Sequence, residues 1–330
     1  MKIFVKTVLI VMLTAILINA QIIPNLGGQR KGISAAQFLK IGVGARAEAM
    51  GQSFIAIAND ATALYWNPAG LTQFEKDQVY FNHTEWLVDT YIENAGIVYH
   101  FDSFNTIGLI ISYFHTEDMM ETTVFQPFGT GSYFSYSDAL IGLSYSRKMT
   151  NQFSFGLTLK YMQETIAEVN IRSVLFDLGT LYWTGFEKTR FAVSLTNFSS
   201  DLVPTGSFRQ KNLKNEYIEY NDFQSFAPPT MFRFGIANDF IDNEQHKLTI
   251  SVQLNHPNDN HENINLGTEY WWHNFFALRA GYKTAQTEQD FSVGIGLRQQ
   301  ISFTFLRFDY AYTHFGRLDS VNRFDLIMEF

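Results

Sequence analysis

The chain of 330 residues contains no cysteine. That excludes disulfide staples and a lipoprotein signal acylated on cysteine, so the fold must hold without covalent cross-links. There is no excess of basic residues: the formal net charge is −8, which argues against a nucleic-acid partner, because such a partner needs a basic face. Charged residues make up only 17% of the chain, and aromatics are abundant, which argues against disorder. No Pro- or Ser-rich linker divides the sequence. After the first twenty residues no apolar run approaches the roughly 20 residues that a membrane-spanning helix needs.

Those first twenty residues have a character of their own. Lys2 and Lys6 precede an apolar stretch from Val8 to Ile18, and Asn19-Ala20 stands before Gln21. This is the pattern of a secretory signal peptide over 1–20, and an exported mature chain is expected. Loss of those two lysines takes the net charge from −8 to −10.

Aromatic residues fill much of the remainder. They reach 16%, with 32 Phe and 16 Tyr, while mean hydropathy is only −0.08. A transmembrane barrel produces that combination, since only alternate residues face lipid and aromatics gather at the interfaces. From Gln78 to the C-terminus the text alternates. Ile107, Leu109, Ile111 and Tyr113 share one face, as do Ala139, Ile141, Leu143 and Tyr145, with Ser, Thr, Gly or charged residues mostly between. Period two over about ten residues marks strands. Fourteen are predicted: 78–86, 91–101, 106–115, 138–148, 152–163, 172–183, 188–198, 230–241, 246–256, 262–273, 275–283, 289–300, 303–313 and 322–330. In the thirteenth, Phe303 and Phe305 fall out of phase with Leu306, Phe308, Tyr310 and Tyr312, so a bulge near Phe305 is expected.

Connections after even-numbered strands are short, whereas those after odd-numbered strands include 116–137 and 199–229. Outer-membrane barrels have short periplasmic turns and long outer loops. The first strand therefore runs outward and the C-terminus returns to the periplasm. The last strand ends in Phe330, as a barrel-assembly signal would. Trp86, Trp183, Trp271 and Trp272 lie near predicted strand ends, where interfacial girdles are expected. The fold class is all-β: a 14-stranded antiparallel transmembrane barrel over 78–330, with a partly helical N-terminal hatch over 21–77 in its lumen. Its setting is the bacterial outer membrane, with lipid as its surroundings.

The hatch is inferred from composition. Residues 21–73 are rich in Gly and Ala and poor in aromatics, suited to close packing. Within it, the block FLKIGVGARAEAMGQSFIAIANDATALYWNPAGL from Phe38 to Leu71 carries Gly-Ala-Arg-Ala at 44–47, Met50-Gly51, Asn59-Asp60-Ala61 and Trp66-Asn67-Pro68-Ala69-Gly70-Leu71. This block resembles the N-terminal block of the PorV/PorQ family of the Bacteroidetes type, related to the FadL-like outer-membrane barrels. The resemblance implies a hatch inside a fourteen-stranded barrel and a link to type IX secretion. Candidate hatch or gating residues are Arg46, Asp60, Trp66, Asn67, Pro68, Ala69 and Gly70. Pro68 lacks an N–H and favours extended geometry at Asn67, which is then free to cap local backbone or to bond the wall. Arg46 and Asp60, charged yet inside the lumen, should pair with wall residues.

Other motifs carry little chemistry. Gly42, Gly44 and Ala47 fit G-x-G-x-x-A but lack the βαβ setting of a dinucleotide site. His256, Asp259, His261 and Glu262 have no metal-ligand spacing. There is no nucleophile elbow and no recognisable carboxylate pair, so no catalytic residue, metal or cofactor is expected. Two readings of function stand side by side. In the first, the barrel is an accessory or partner protein in type IX-like secretion that meets a translocon component or exported cargo through its outer loops. In the second, it is a FadL-like channel for hydrophobic small molecules, with Met119, Met120, Phe125, Phe128, Tyr133 and Phe134 forming an outer-loop hydrophobic site.

Overall fold

A computed structural model describes residues 32–211, 216–284 and 289–330. The expected signal peptide lies outside these. Fourteen long antiparallel strands run β1 Gln78–Glu85, β2 Thr90–His100, β3 Asn105–Thr116, β4 Tyr136–Lys148, β5 Phe153–Ile166, β6 Val169–Trp183, β7 Arg190–Phe198, β8 Met231–Asp242, β9 His246–Pro257, β10 Asn263–Trp272, β11 Phe276–Lys283, β12 Phe291–Ile301, β13 Thr304–His314 and β14 Ser320–Glu329. Each pairs with the next, and β14 returns to β1 in a register running from Gln78↔Glu329 to Glu85↔Asn322. The sheet is thereby closed, which leaves no free barrel edge.

The two faces of the wall are reversed relative to a soluble protein. Ile97, Ile111, Leu143, Leu159, Val252 and Ile295 point outward and are exposed. The alternate positions point inward and are polar yet buried, among them Ser144, Thr158, Ser251, Gln253 and Asn265. Apolar-out, polar-in alternation is the pattern of a membrane barrel.

Connections at one end are short: 101–104, 149–152, 184–189, 243–245, 273–275 and 302–303. The opposite end carries 117–135 and 199–230. Within 117–135, Met119–Met120 pairs with Tyr133–Phe134 as a small hairpin. Within 199–230, Phe208–Lys211 pairs with Tyr217–Tyr220, and Pro204–Thr205 adds to β6.

Two expectations are corrected. β13 pairs with β12 in unbroken register from Ser292↔Thr313 to Ile301↔Thr304, so Phe305 is not bulged. Its ring turns to the inner rim, where Lys76 Nζ and Arg298 lie over it at 4.2 and 4.5 Å; the cations offset the cost of an inward aromatic. Of the four tryptophans, Trp272 is exposed, whereas Trp271 is buried inward. Trp86, Trp183 and Trp271 each stack with an inward arginine instead, Arg323, Arg190 and Arg279 respectively. Strand-end tryptophans answer equally well to an interface or to a lumenal cation.

Residues 33–77 pass through the lumen from the outer end to the short-turn end. At the outer end Ser34 bridges Ala227, and Lys40 pairs with Asp259 at 2.9 Å. At the other end the Phe330 N–H donates to Asp77 O at 2.9 Å. Between them lie two short helices, α1 Ala45–Ala49 and α2 Ala63–Trp66, and 3-10 turns at Gln37–Lys40 and Pro68–Thr72. Small residues matter where backbone meets wall. Gly51 has φ +61, and a Cβ on Gly281 of β11 would overlap the Gly51 backbone.

Candidate functional site

The Asn-Pro-Ala step is a joint between the inner segment and the wall. Asn67 is extended at φ −161, and its side chain accepts from the Ala69 N–H, capping the turn that Pro68 opens. Its Nδ2 donates to Ile55 O at 3.0 Å and to Thr180 O of β6 at 3.2 Å. Gly156 and Gly179 on β5 and β6 leave room for it; a Cβ there would overlap Pro68 and Asn67. Trp66 donates its indole N–H to Val43 O at 2.7 Å, and its own carbonyl accepts from Ser194 of β7. Ala69 and Gly70 are fully packed beneath. These five residues form one built connection.

Arg46 and Asp60 belong to a closed ring of ion pairs. Arg46 contacts Asp60 at 2.7 Å and Glu269 of β10 at 2.6 Å. Glu269 also meets Arg279 of β11 at 2.7 Å, which meets Asp309 of β13 at 2.8 Å. Asp309 meets Arg307 at 2.8 Å, and Arg307 returns to Asp60 at 2.6 Å. Three arginines alternate with three carboxylates, and none of the six is more than 5% exposed. Every charge has two opposite neighbours, so burial is compensated by geometry. Sequence reading found the two inner members. The four wall members sit at ordinary inward polar positions, and nothing local marks them.

The ring borders a polar cavity of about 260 Å³ at the short-turn end, lined by Phe74, Lys247 and Arg298 among others. A second cavity, of about 440 Å³, opens at the outer mouth, with Trp86, Phe114, Tyr136, Phe315, Arg233 and Lys283 in its lining. The two share no lining residue. Met50, Phe54, Ile55, Ala58 and Leu64 fill the space between and are essentially inaccessible.

The outer-loop residues stand apart from both cavities. Met119, Met120, Tyr133 and Phe134 form the small hairpin, and Phe125 and Phe128 lie at its tip, with Phe128 94% exposed. The four residues of the 256–262 region separate. Asp259 turns to Ser34, Gln37 and Lys40 of the inner segment. Burial opposes ionisation of Asp259, yet these donors hold its carboxyl below the usual range. His256 pairs with Glu262 at 2.9 Å. Among the described residues no group of three or more His, Cys, Asp or Glu could hold a metal.

Comparison with known proteins agrees with this geometry. The family described as "Type IX secretion system protein PorV" matches residues 27–257. The chain belongs to the PorV family. It is therefore an outer-membrane barrel associated with type IX secretion. Solved structures similar to this PorV-family chain share its fold. The toluene transporter TodX of Pseudomonas putida has a TM-score of 0.60 at 12% identity, covering 92% of this chain and 99% of that one. The toluene transporter TbuX of Ralstonia pickettii has 0.59 at 13%, covering 87% and 97%. The CymD monoaromatic hydrocarbon channel has 0.58 at 14%, covering 88% and 97%. No curated protein matches. Family and fold are those of secretion or transport barrels.

Proposed function

We propose that this PorV-family barrel serves type IX secretion by offering its 119–134 hairpin to a protein partner, a translocon component or exported cargo. One observation carries the reading. The hairpin presents Val124, Phe125, Phe128 and Tyr133 to the outside, with Val124 89% exposed, while Glu121 and Ser132 hold its base by a backbone hydrogen bond of 2.9 Å. An ordered, exposed apolar tip is a contact surface in want of a partner. The reading assigns no catalysis. In it the inner segment ending at residue 77 acts as a hatch, and the Asn67–Gly70 joint fixes that hatch to β5 and β6.

The test is the secreted proteome of cells carrying Phe125→Asp together with Phe128→Asp. Normal barrel assembly with loss of exported proteins from the medium is expected. An unchanged secreted proteome at normal barrel levels would defeat the proposal.

Passage of a hydrophobic small molecule is the second reading, favoured by the fold likeness and the outer-mouth cavity. It requires the segment to move, because the two cavities do not join. Toluene uptake into vesicles that is identical with and without the barrel would remove it.

A further inference from the structure

The cavity at the short-turn end is lined by two groups of charges with different balances. One is the neutral ring, which contributes Arg46, Arg307 and Glu269 to the lining. The other carries more cations than carboxylates. Arg190 of β7 and Lys247 of β9 share a single carboxylate, Asp239, at 3.0 and 3.4 Å. Thr249 also donates to that carboxylate, at 2.7 Å. Arg298 of β12 pairs with Glu329 at 2.6 Å, and its Nε is buried without a partner. Lys76 lies over the same Phe305 ring as Arg298, and among the described residues it has no carboxylate within ion-pair distance. All four cations line the cavity. They form two clusters, each with two cations on one carboxylate. The remaining acid of the lining, Glu75, is exposed, where water screens it. Asn59 lines the cavity as well, and its Oδ1 accepts from Arg46 at 2.6 Å. Its amide N–H groups are what it has left to offer a ligand.

Like charges gathered in a concave, low-dielectric setting focus their field and draw counter-ions. Lys76 and Lys247, the half-buried members of the two clusters, keep their ammonium groups within reach of such an ion. One surplus charge in each cluster matches a ligand with two negative ends rather than one. We propose that the short-turn mouth is a binding site for a small dicarboxylate, one carboxylate against Lys76 and Arg298 and the other against Lys247 and Arg190. The cavity, of about 260 Å³, is smaller than a drug-sized site and suits a short aliphatic diacid. The site lies at the end opposite the 119–134 hairpin and does not depend on it.

Calorimetric titration of the full barrel in zwitterionic nanodiscs at low ionic strength tests this, with adipate, its monoamide adipamate and its neutral diamide adipamide. Adipate should bind saturably and at least about tenfold more tightly than the diamide, as expected for charge-assisted contacts, and its affinity should fall as salt is added. Lys76→Met and Lys247→Met, made singly, should each weaken adipate by at least about threefold and leave the diamide nearly unchanged. Absence of saturable adipate binding to the unaltered barrel would overturn the proposal without reference to any variant. So would equal affinity for adipate and adipamate, which would give the site to a single anionic group. Sensitivity to only one of the two lysines would overturn the two-ended contact.

Discussion

The two ends of one lumen handle buried charge in opposite ways. Toward the short turns, three arginines and three carboxylates close a neutral ring in which each group has two partners. At the outer mouth, Arg233 has no carboxylate within ion-pair distance among the described residues, Lys283 meets Glu48 only at 3.7 Å, and both line a cavity that also has Trp86, Phe114, Tyr136 and Phe315 in its lining. The difference separates a structural use of charge from a use that leaves charge available. In the ring the pairs tie α1 and the Asn59-Asp60 turn to β10, β11 and β13, so the energy goes into position. At the mouth Arg233 rests on Thr196 and Trp66, Lys283 has Glu48 only at 3.7 Å, and both line a cavity.

Removing one member of each set should break the comparison open. Asp60→Ala leaves Arg46 and Arg307 buried without their shared carboxylate. A loss of about 3–5 kcal/mol is expected, as for other buried pairs broken on one side. Urea unfolding from lipid vesicles measures it, and single-barrel conductance should rise as the inner segment loosens. Gly281→Ala places a methyl against the Gly51 backbone and should cost about 1–3 kcal/mol, the range for overpacking, by the same assay.

Smaller effects sharpen the contrast. Asp259→Asn weakens the tie of Lys40, Gln37 and Ser34 to the outer loop by about 1 kcal/mol. The Asp259 carboxyl is held below its usual range, so its contribution is complete above the unfolded value near about 3.9 and disappears as pH falls through the lower folded value. The stability difference between the unaltered barrel and Asp259→Asn should therefore be flat from neutral pH down to about 4 and vanish below. Arg233→Met should change stability least, by under about 1 kcal/mol, because no carboxylate is stranded. A loss at Arg233 as large as that at Asp60 would erase the distinction between the two ends.

How much of this was legible depended on whether the signal was local. Fourteen strands could be read because each writes its own two faces, as Ile107, Leu109, Ile111 and Tyr113 do against their polar neighbours. Phe305 misled because an inward aromatic at the rim breaks the pattern as a bulge would; only Lys76 and Arg298, distant in sequence, explain it. Trp86, Trp183 and Trp271 misled for the same reason. Arg46 and Asp60 were conspicuous because a charged residue in a Gly- and Ala-rich lumenal segment demands a partner. Glu269, Arg279, Arg307 and Asp309 were not, since a polar inward residue is normal in every strand.

The sequence by itself determined strand number, membrane setting and the block that marks the family, because alternation and close-packed small residues are properties of neighbours along the chain. Tertiary structure alone decided which charges neutralise one another and which do not. Barrel closure brings β8, β10, β11 and β13 around one segment, and in that low-dielectric interior a few ångströms separate a satisfied ring from an open cationic mouth.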